Sequence, residues 1–147
     1  MALKYSTALR QGLAVNGSLR SLLNEGLIRI YSGAVPTGAD SALGSATLLN
    51  EISVGGNGTV LTFEPTAPGG VLTKTIAENW TGNNVGDGTP TFFRFVKATD
   101  TGAASNTEVR LQGTCGAVGN DLIITQLPLV SGQPLTLELF QLTVPEQ

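Results

Sequence analysis

The sequence predicts a mainly β fold, an antiparallel β-sandwich of about seven to nine strands preceded by an N-terminal helical segment. Apolar residues recur at intervals of three, four and seven before position 26, which is typical of an amphipathic helix. After position 26 they recur at intervals of two, as in half-buried strands. The 19 glycines and 7 prolines supply turns between short strands. A jelly roll is one wiring that such a sandwich can take.

The segment 1–26 is predicted to form two short helices or one kinked helix. Tyr5-Ser6-Thr7 offers an N-cap for the first, because a side-chain oxygen there can accept from a free backbone N–H. Asn16-Gly17-Ser18 interrupts the segment, and Ser18 can cap a second helix that runs through Asn24. Gly26 is predicted to end that helix in the left-handed conformation that glycine tolerates. Residues 27–147 show no linker or repeat, so they are predicted to be one β-domain.

The apolar stripe of this helical segment allows two arrangements. In the first, the stripe packs on the protein's own sheet, as most amphipathic helices do. In the second, the segment is an arm that docks on a neighbouring subunit. For the second arrangement the stripe supplies the candidate assembly contacts, which are Tyr5, Leu9, Leu13, Leu19, Leu22 and Leu23.

The first strands are separated by glycine-rich turns. Leu27–Ser32 alternates like a strand, and Gly33–Ser45 is predicted to be a long loop. Thr47–Val54 and Thr59–Glu64 flank Gly55-Gly56-Asn57-Gly58, which is typical of a β-hairpin.

The second half of the chain contains the predicted centre of the sheet. Thr91–Ala98 carries three phenylalanines and is the best candidate for a central strand. Val71–Trp80, Glu108–Gly113 and Asp121–Gln126 are predicted to be further strands. Near the end of the chain the apolar phase shifts by one residue at Leu139–Phe140, and this shift predicts a β-bulge.

The composition excludes several classes of function. The chain has no histidine, which removes Ser-His-Asp and Cys-His catalysis and the commonest zinc ligand. Its one cysteine excludes an intrachain disulfide and a cysteine-cluster metal site. A net charge of −3, with 8 scattered basic residues, argues against nucleic acid as a partner. No secretory signal and no apolar run of about 20 residues is present, so we expect a cytoplasmic product that does not contact the membrane.

Acidic residues near turns are the remaining candidates for catalysis or metal binding. They are Asp40, Asp87, Asp100 and Asp121. No local spacing brings two of them together, as a glycosidase pair or a calcium loop requires, and Asp before Gly is a common turn signal. No Walker sequence accompanies the glycine-rich loops. We therefore expect no catalytic residue, no metal and no cofactor, and a carboxylate-based hydrolase ranks last.

Aromatic side chains allow a binding hypothesis and a packing hypothesis. The residues concerned are Tyr31, Trp80, Phe92, Phe93 and Phe95. They are predicted to pack in the core, which is the usual place for strand aromatics. The alternative is a carbohydrate- or cell-surface-binding module in which Trp80 or Tyr31 stacks on a sugar. Cys115 is predicted to be a small, partly buried thiol.

The opening Met1-Ala2-Leu3-Lys4-Tyr5-Ser6-Thr7-Ala8-Leu9-Arg10 resembles a group of small virion proteins from tailed bacteriophages. Those proteins continue with a strand like Ile30-Tyr31-Ser32-Gly33, a proline such as Pro36 close behind, and a later strand like Phe93-Arg94-Phe95. The resemblance covers the first 36 residues best. It implies a component of the phage particle and carries no active-site residues.

The resemblance and the composition together predict a non-enzymatic virion protein, in the first place a capsid decoration or cement protein that works as a homo-oligomer. Such a protein would contact itself and other virion proteins, the major capsid protein first among them. A charged fraction of only 13% leaves few charges to keep neighbouring copies apart. A neck, tail or fibre-attachment component is the alternative within the same particle.

Overall fold

The computed structural model describes residues 3–144 and confirms a mainly β fold with two short N-terminal helices. The described strands are β1 (Lys4–Tyr5), β2 (Gly26–Ser32), β3 (Thr47–Val54), β4 (Val71–Thr73), β5 (Trp80–Asn83), β6 (Phe92–Lys97), β7 (Arg110–Gly116), β8 (Leu122–Ile123), β9 (Pro134–Leu137) and β10 (Gln141–Thr143). Two of these, β1 and β8, hold only 2 residues each. The number of longer strands, eight among the described residues, agrees with the predicted seven to nine.

The helices begin where the sequence predicts. Helix α1 spans Thr7–Val15, and the Ser6 hydroxyl caps it by accepting from the backbone N–H of Leu9 at 3.2 Å. Helix α2 spans Leu19–Leu23, and Ser18 caps it in a reciprocal pair with Ser21. Capping of this kind satisfies N–H groups that have no partner inside the helix. The interruption near Gly17 thus separates two helices, as one of the two predicted forms requires.

The strands form one large sheet and one small one. In the large sheet the order is β1-β7-β6-β2-β3-β5-β9, and β8 pairs with the far end of β7. All pairings are antiparallel except the parallel pair β7–β8. The small sheet pairs β10 with β4. The predicted central strand is confirmed, because β6 lies between β2 and β7.

The large sheet bends back over itself. Three strand spacings separate β6 from β5, which corresponds to about 14 Å in a flat sheet. The ring of Trp80 in β5 nevertheless lies 6.3 Å from the ring of Phe95 in β6, centroid to centroid. The two halves of the sheet therefore face one another across the core. The curvature of the sheet is established, and the sandwich and jelly-roll architectures stay predictions.

The core is an aromatic cluster between these two halves. Its five rings, all at most 5% exposed, have contacting centroids 5.5 to 6.3 Å apart and belong to Phe63, Trp80, Phe93, Phe95 and Phe140. Leucines and isoleucines from β2, β3, β7 and both helices surround it. Tilted and edge-on ring pairs add to the stabilisation from buried apolar area.

Two local predictions near the start of the sheet are wrong. Glu25, not Gly26, takes the left-handed conformation after α2, with φ of 66°. Gly26 already belongs to β2, and its missing side chain serves packing, because a Cβ there would lie 2.5 Å from the Phe95 ring. The segment 59–64 after the Gly55–Gly58 turn contributes isolated bridges instead of a regular strand.

The predicted bulge at Leu139–Phe140 is also wrong. The phase shift marks the point where the chain leaves β9 in the large sheet and enters β10 in the small one. Phe140 is buried in the aromatic cluster, whereas Leu139 is 62% exposed. A register shift of the bulge type occurs instead between Ile30 and Tyr31, where β2 pairs with β3. No helix in residues 3–144 is long and apolar enough to cross a membrane.

Candidate assembly surface

A row of polar side chains crosses the face of the sheet opposite the aromatic cluster, between the buried pairs Leu27–Val96 and Tyr31–Phe92. Cross-strand partners place this row across five strands, in the order Glu51, Arg29, Arg94, Gln112 and Lys4. Because adjacent residues of a strand point to opposite faces, these side chains lie on one side, and Phe93 and Phe95 on the other. Arg94 carries a charge in the middle of strand β6, and yet it is only 1% exposed.

The loop 33–46 lies over this polar row and supplies hydrogen-bond acceptors to three of its side chains. Lys4 Nζ donates to the Thr37 carbonyl at 2.8 Å, and Gln112 Nε2 donates to the Pro36 carbonyl at 2.9 Å. Arg94 Nη2 donates to the Ser41 carbonyl at 2.7 Å. The loop backbone thus accepts hydrogen bonds from the buried side chains of Arg94 and Gln112, whereas Arg94 Nη1 has no partner within the described residues. The predicted long loop is confirmed, and its role is to cover the sheet.

A buried ion pair lies beside this row. Arg110 in β7 donates to both carboxylate oxygens of Asp100, at 2.6 and 2.8 Å, and both side chains are 1% exposed. Burial alone would raise the pKa of Asp100, but hydrogen bonds from Arg110 and Gly102, with the charges of Arg110 and Arg29, lower it below its usual value. Burial, together with the neighbouring Arg110 charge, lowers the pKa of Arg94, which has no carboxylate partner within the described residues.

The acidic residues singled out from the sequence accept hydrogen bonds from other parts of the fold. Asp40 accepts from the Thr7 amide at 2.9 Å and the Thr7 hydroxyl at 2.5 Å. These hydrogen bonds lower the pKa of Asp40 against the opposing effect of burial. Asp121 accepts from Thr114, and Asp87 from the Ser131 amide. The residues that the structure describes contain no group of three or more acidic, cysteine or histidine side chains placed to hold a metal ion.

The aromatic residues and the cysteine are buried. Trp80 is 0% exposed, and Tyr31 is 5% exposed and stacked on Phe92 at 5.0 Å. Neither ring offers a face to a sugar. Cys115 is buried among apolar groups, and burial raises the pKa of its thiol to about 12. It is therefore a packing residue and more deeply buried than predicted.

The candidate contacts of the helical segment lie against the protein's own core. Leu9, Leu19 and Leu23 are at most 7% exposed, and Tyr5, Leu13 and Leu22 are partly buried beside the same cluster. This is the first of the two arrangements that the sequence allows. The assembly role of these six residues stays a prediction, and little of the stripe is exposed to serve it.

Exposed apolar side chains collect instead around the edge strand β9. Ile76, Ile123, Val130 and Leu139 are 51 to 77% exposed. Three of them, Ile76, Ile123 and Val130, line grooves that also include residues of β9. Leu139 lines a neighbouring groove, which shares Ile123 with one of these. We call this region the β9 surface. Contiguous exposed apolar area of this kind is typical of a protein contact site.

One groove of the β9 surface lies between two stretches of backbone. One wall is residues 123–126, which begin in β8 and turn through a bend at 125–126, and the other is residues 134–138, which contain β9. The groove has a volume of about 360 Å³. Buried Ile124, Leu135 and Leu137 belong to its walls. The accessible lining of the groove is more polar than apolar, and Glu138 is its one charged side chain, so the groove has no cluster of charges for catalysis.

The sequence contained one signal for this surface. The phase shift at Leu139–Phe140 places two large apolar residues side by side, so a strand can bury only one of them. Ile76 was assigned to a predicted strand and gives no comparable signal. The proximity of residue 123 to residue 138 depends on the bending of the sheet and could not be found from spacing.

Comparisons with protein-family models, with curated proteins and with solved structures found no match for the chain.

Proposed function

We propose that the protein is a non-enzymatic structural component of a phage virion, a capsid decoration or cement protein that works as a homo-oligomer through contacts with neighbouring subunits. The observation that carries the proposal is the β9 surface, where apolar side chains remain exposed in a protein that buries the aromatic side chains of its longer strands. The resemblance of the first 36 residues to small virion proteins gives the kind of assembly.

The distribution of charge supports a contact role. Arg94, Arg110 and Asp100 are all used inside the fold, where they fix loops to the sheet. Their hydrogen bonds stabilise loop positions and leave no charged cleft among them. A rigid body with weakly charged, partly apolar surfaces can make one modest contact many times, and repetition then supplies avidity.

The position in the particle is tested by copy number. Quantitative mass spectrometry of purified particles should find this chain in hundreds of copies if it decorates the shell. About six to twelve copies would instead indicate the alternative, a symmetric ring in the neck or tail. Particles that contain no stoichiometric copies would overturn the virion proposal.

The contact surface is tested by a matched pair of variants. Leu139→Glu places a charge on the β9 surface and should reduce incorporation into particles at least about tenfold, because an unpaired charge in an interface costs more than 1.4 kcal/mol. Val118→Glu changes a residue that is 88% exposed and outside the groove linings of the β9 surface, and it should incorporate normally. Equal incorporation of the two variants would contradict the assignment of this surface.

A further inference from the structure

The groove of the β9 surface lies within the sheet. Every residue of 123–126 and of 134–138 lines it, those with inward and those with outward side chains alike. A depression in one face of a sheet would be lined by alternate residues only. The two walls also lie at the two ends of the sheet, because β8 shares the outer edge of β7 with β1 at one end and β9 pairs with β5 at the other. The bent sheet is therefore a barrel that is open at one position.

The β9 wall has free backbone groups that face this gap. Leu135 and Leu137 stand opposite Gly82 and Trp80, and the Asn84 amide donates to the Gln133 carbonyl in the same ladder. Because hydrogen-bonded pairs alternate in an antiparallel ladder, residues 133, 135 and 137 bond to β5 and residues 134, 136 and 138 point away. Pro134, which has no N–H, occupies one of these outward positions, as prolines of edge strands do.

The opposite wall has the same property. The Ile124 amide donates to the Gly116 carbonyl, so Ile124 bonds to β7. Ile123 therefore directs its N–H and C=O groups into the gap, and Thr125 follows at a bend beyond the strand. Neither the Thr125 nor the Glu138 amide donates to any residue within 3–144. Two unpaired backbone edges that face each other provide hydrogen-bond partners for one further strand.

The side chains on the two walls define what that strand must carry. Ile124, Leu135 and Leu137 point inward and are at most 5% exposed, so alternate residues of an added strand would meet an apolar floor. Ile123, Thr125 and Thr136 lie on the outer side. Glu138 at the end of the groove is exposed and has no ion-pair partner within the described residues. The complementary strand alternates apolar and polar residues and carries Lys or Arg near Glu138.

We propose that this gap accepts one extended segment of a partner protein, with that pattern, as an additional strand that closes the barrel. The inference rests on the proposed function, since it names the partner chemistry of the same surface. Successive pairings make β8 and β9 antiparallel to each other, so the added strand runs parallel to one wall and antiparallel to the other.

A segment of a second copy is the less suitable occupant. The basic residues on the chain's strands, such as Lys4, Arg29 and Arg94, are bonded within their own fold. A second copy would have to release a strand and lose those bonds in order to donate it. A different virion protein with an extended arm has no such requirement.

The test uses a labelled peptide with the sequence Lys-Val-Thr-Val-Thr-Val-Lys and the full-length protein. We expect saturable binding and slower hydrogen exchange of the Thr125, Thr136 and Glu138 amides, measured by NMR. The same peptide with alternate backbone amides N-methylated should bind about tenfold more weakly or worse, because it loses donors to one wall. Glu138→Gln should weaken binding of the unmodified peptide several-fold, and Glu108→Gln, at a position that does not line the groove, should leave it unchanged.

Three results would overturn the proposal: no saturable binding, equal binding of the N-methylated peptide, or protection that falls outside the two walls. Dimerisation through the β9 edge without peptide, detected by sedimentation and abolished by Thr136→Pro, would assign the gap to a second copy and also overturn it. If peptide binding fails but wild-type protein is still incorporated into particles, the proposed function stands and the strand-acceptor role does not.

Discussion

The two faces of strand β6 are both buried, yet they are buried by different means. Phe93 and Phe95 enter the aromatic cluster on one face, whereas Arg94 enters the polar row on the other. On the aromatic face the stabilisation comes from apolar area and is not directional. On the polar face each donor needs a particular carbonyl or carboxylate at hydrogen-bond distance. The comparison shows how a sheet can determine the path of an irregular loop.

The difference has a structural consequence for the loop 33–46. A loop with few apolar side chains cannot be held by hydrophobic burial. Here Lys4, Arg94, Arg110 and Gln112 hold it through its main-chain carbonyls, which every residue type provides. The loop's position therefore depends on residues in the strands more than on its own sequence.

The largest expected effect is on the aromatic face. Phe95→Ala should lower the free energy of unfolding by about 3–5 kcal/mol, because it leaves a cavity among the packed rings. Urea denaturation measures the change. Ile76→Ala, at a side chain that is 77% exposed, is the control and should change stability by less than about 0.5 kcal/mol. A loss below about 1 kcal/mol for Phe95→Ala would show that this face is not the main source of stability.

The next largest effect is on the polar face. Asp100→Asn should cost about 3 kcal/mol, because it leaves the Arg110 guanidinium buried without a counter-charge. The same urea titration measures it. A double variant, Asp100→Leu with Arg110→Met, removes both charges and should recover part of the loss. If the double variant is no more stable than Asp100→Asn, the hydrogen bonds from the pair to the loops contribute more to stability than the removal of the unpaired charge restores.

The comparison also predicts a dependence on pH. The pKa values of Asp40 and Asp100 in the folded protein are lowered below the ordinary value of about 3.9. Their contributions to stability are therefore complete above about pH 4 and are lost as the pH falls through the lower folded values. Unfolding midpoints measured between pH 7 and 2 should decline most steeply below pH 4. The decline should be shallower in Asp100→Asn, and an identical decline would contradict the assignment to Asp100.

The smallest effect concerns the junction between α1 and the sheet. The Ser6 hydroxyl accepts from the Leu9 amide at 3.2 Å and from the Arg110 amide at 2.9 Å, and Ser6 is 0% exposed. Ser6→Ala should cost about 1–2 kcal/mol, because both donors lose their acceptor. Ser6→Thr keeps a hydroxyl and serves as the comparison in thermal unfolding. Equal losses of stability in the two variants would indicate that packing around Ser6, and not the hydrogen bonds to its hydroxyl, is what the substitutions disturb.

Local signals in the sequence were sufficient for elements with short-range chemistry. The caps Ser6 and Ser18 could be predicted because they act within three residues. The central strand could be predicted from its aromatic content. Gly26 was misassigned, since its need for a missing Cβ arises from Phe95, far away in the sequence. The β9 surface could not be predicted, because its two walls come together only when the sheet bends.

By itself the sequence determined that this chain is mainly β with capped N-terminal helices, and that histidine and cysteine-cluster chemistry are absent. The period of apolar residues and the residue inventory are local properties, and they require no knowledge of the fold. Only the tertiary structure decided that Leu9, Leu19 and Leu23 face their own core, and that β8 and β9 leave a gap between them. Contacts between distant residues depend on how the strands are ordered and how far the sheet curves, and an alternating pattern specifies neither.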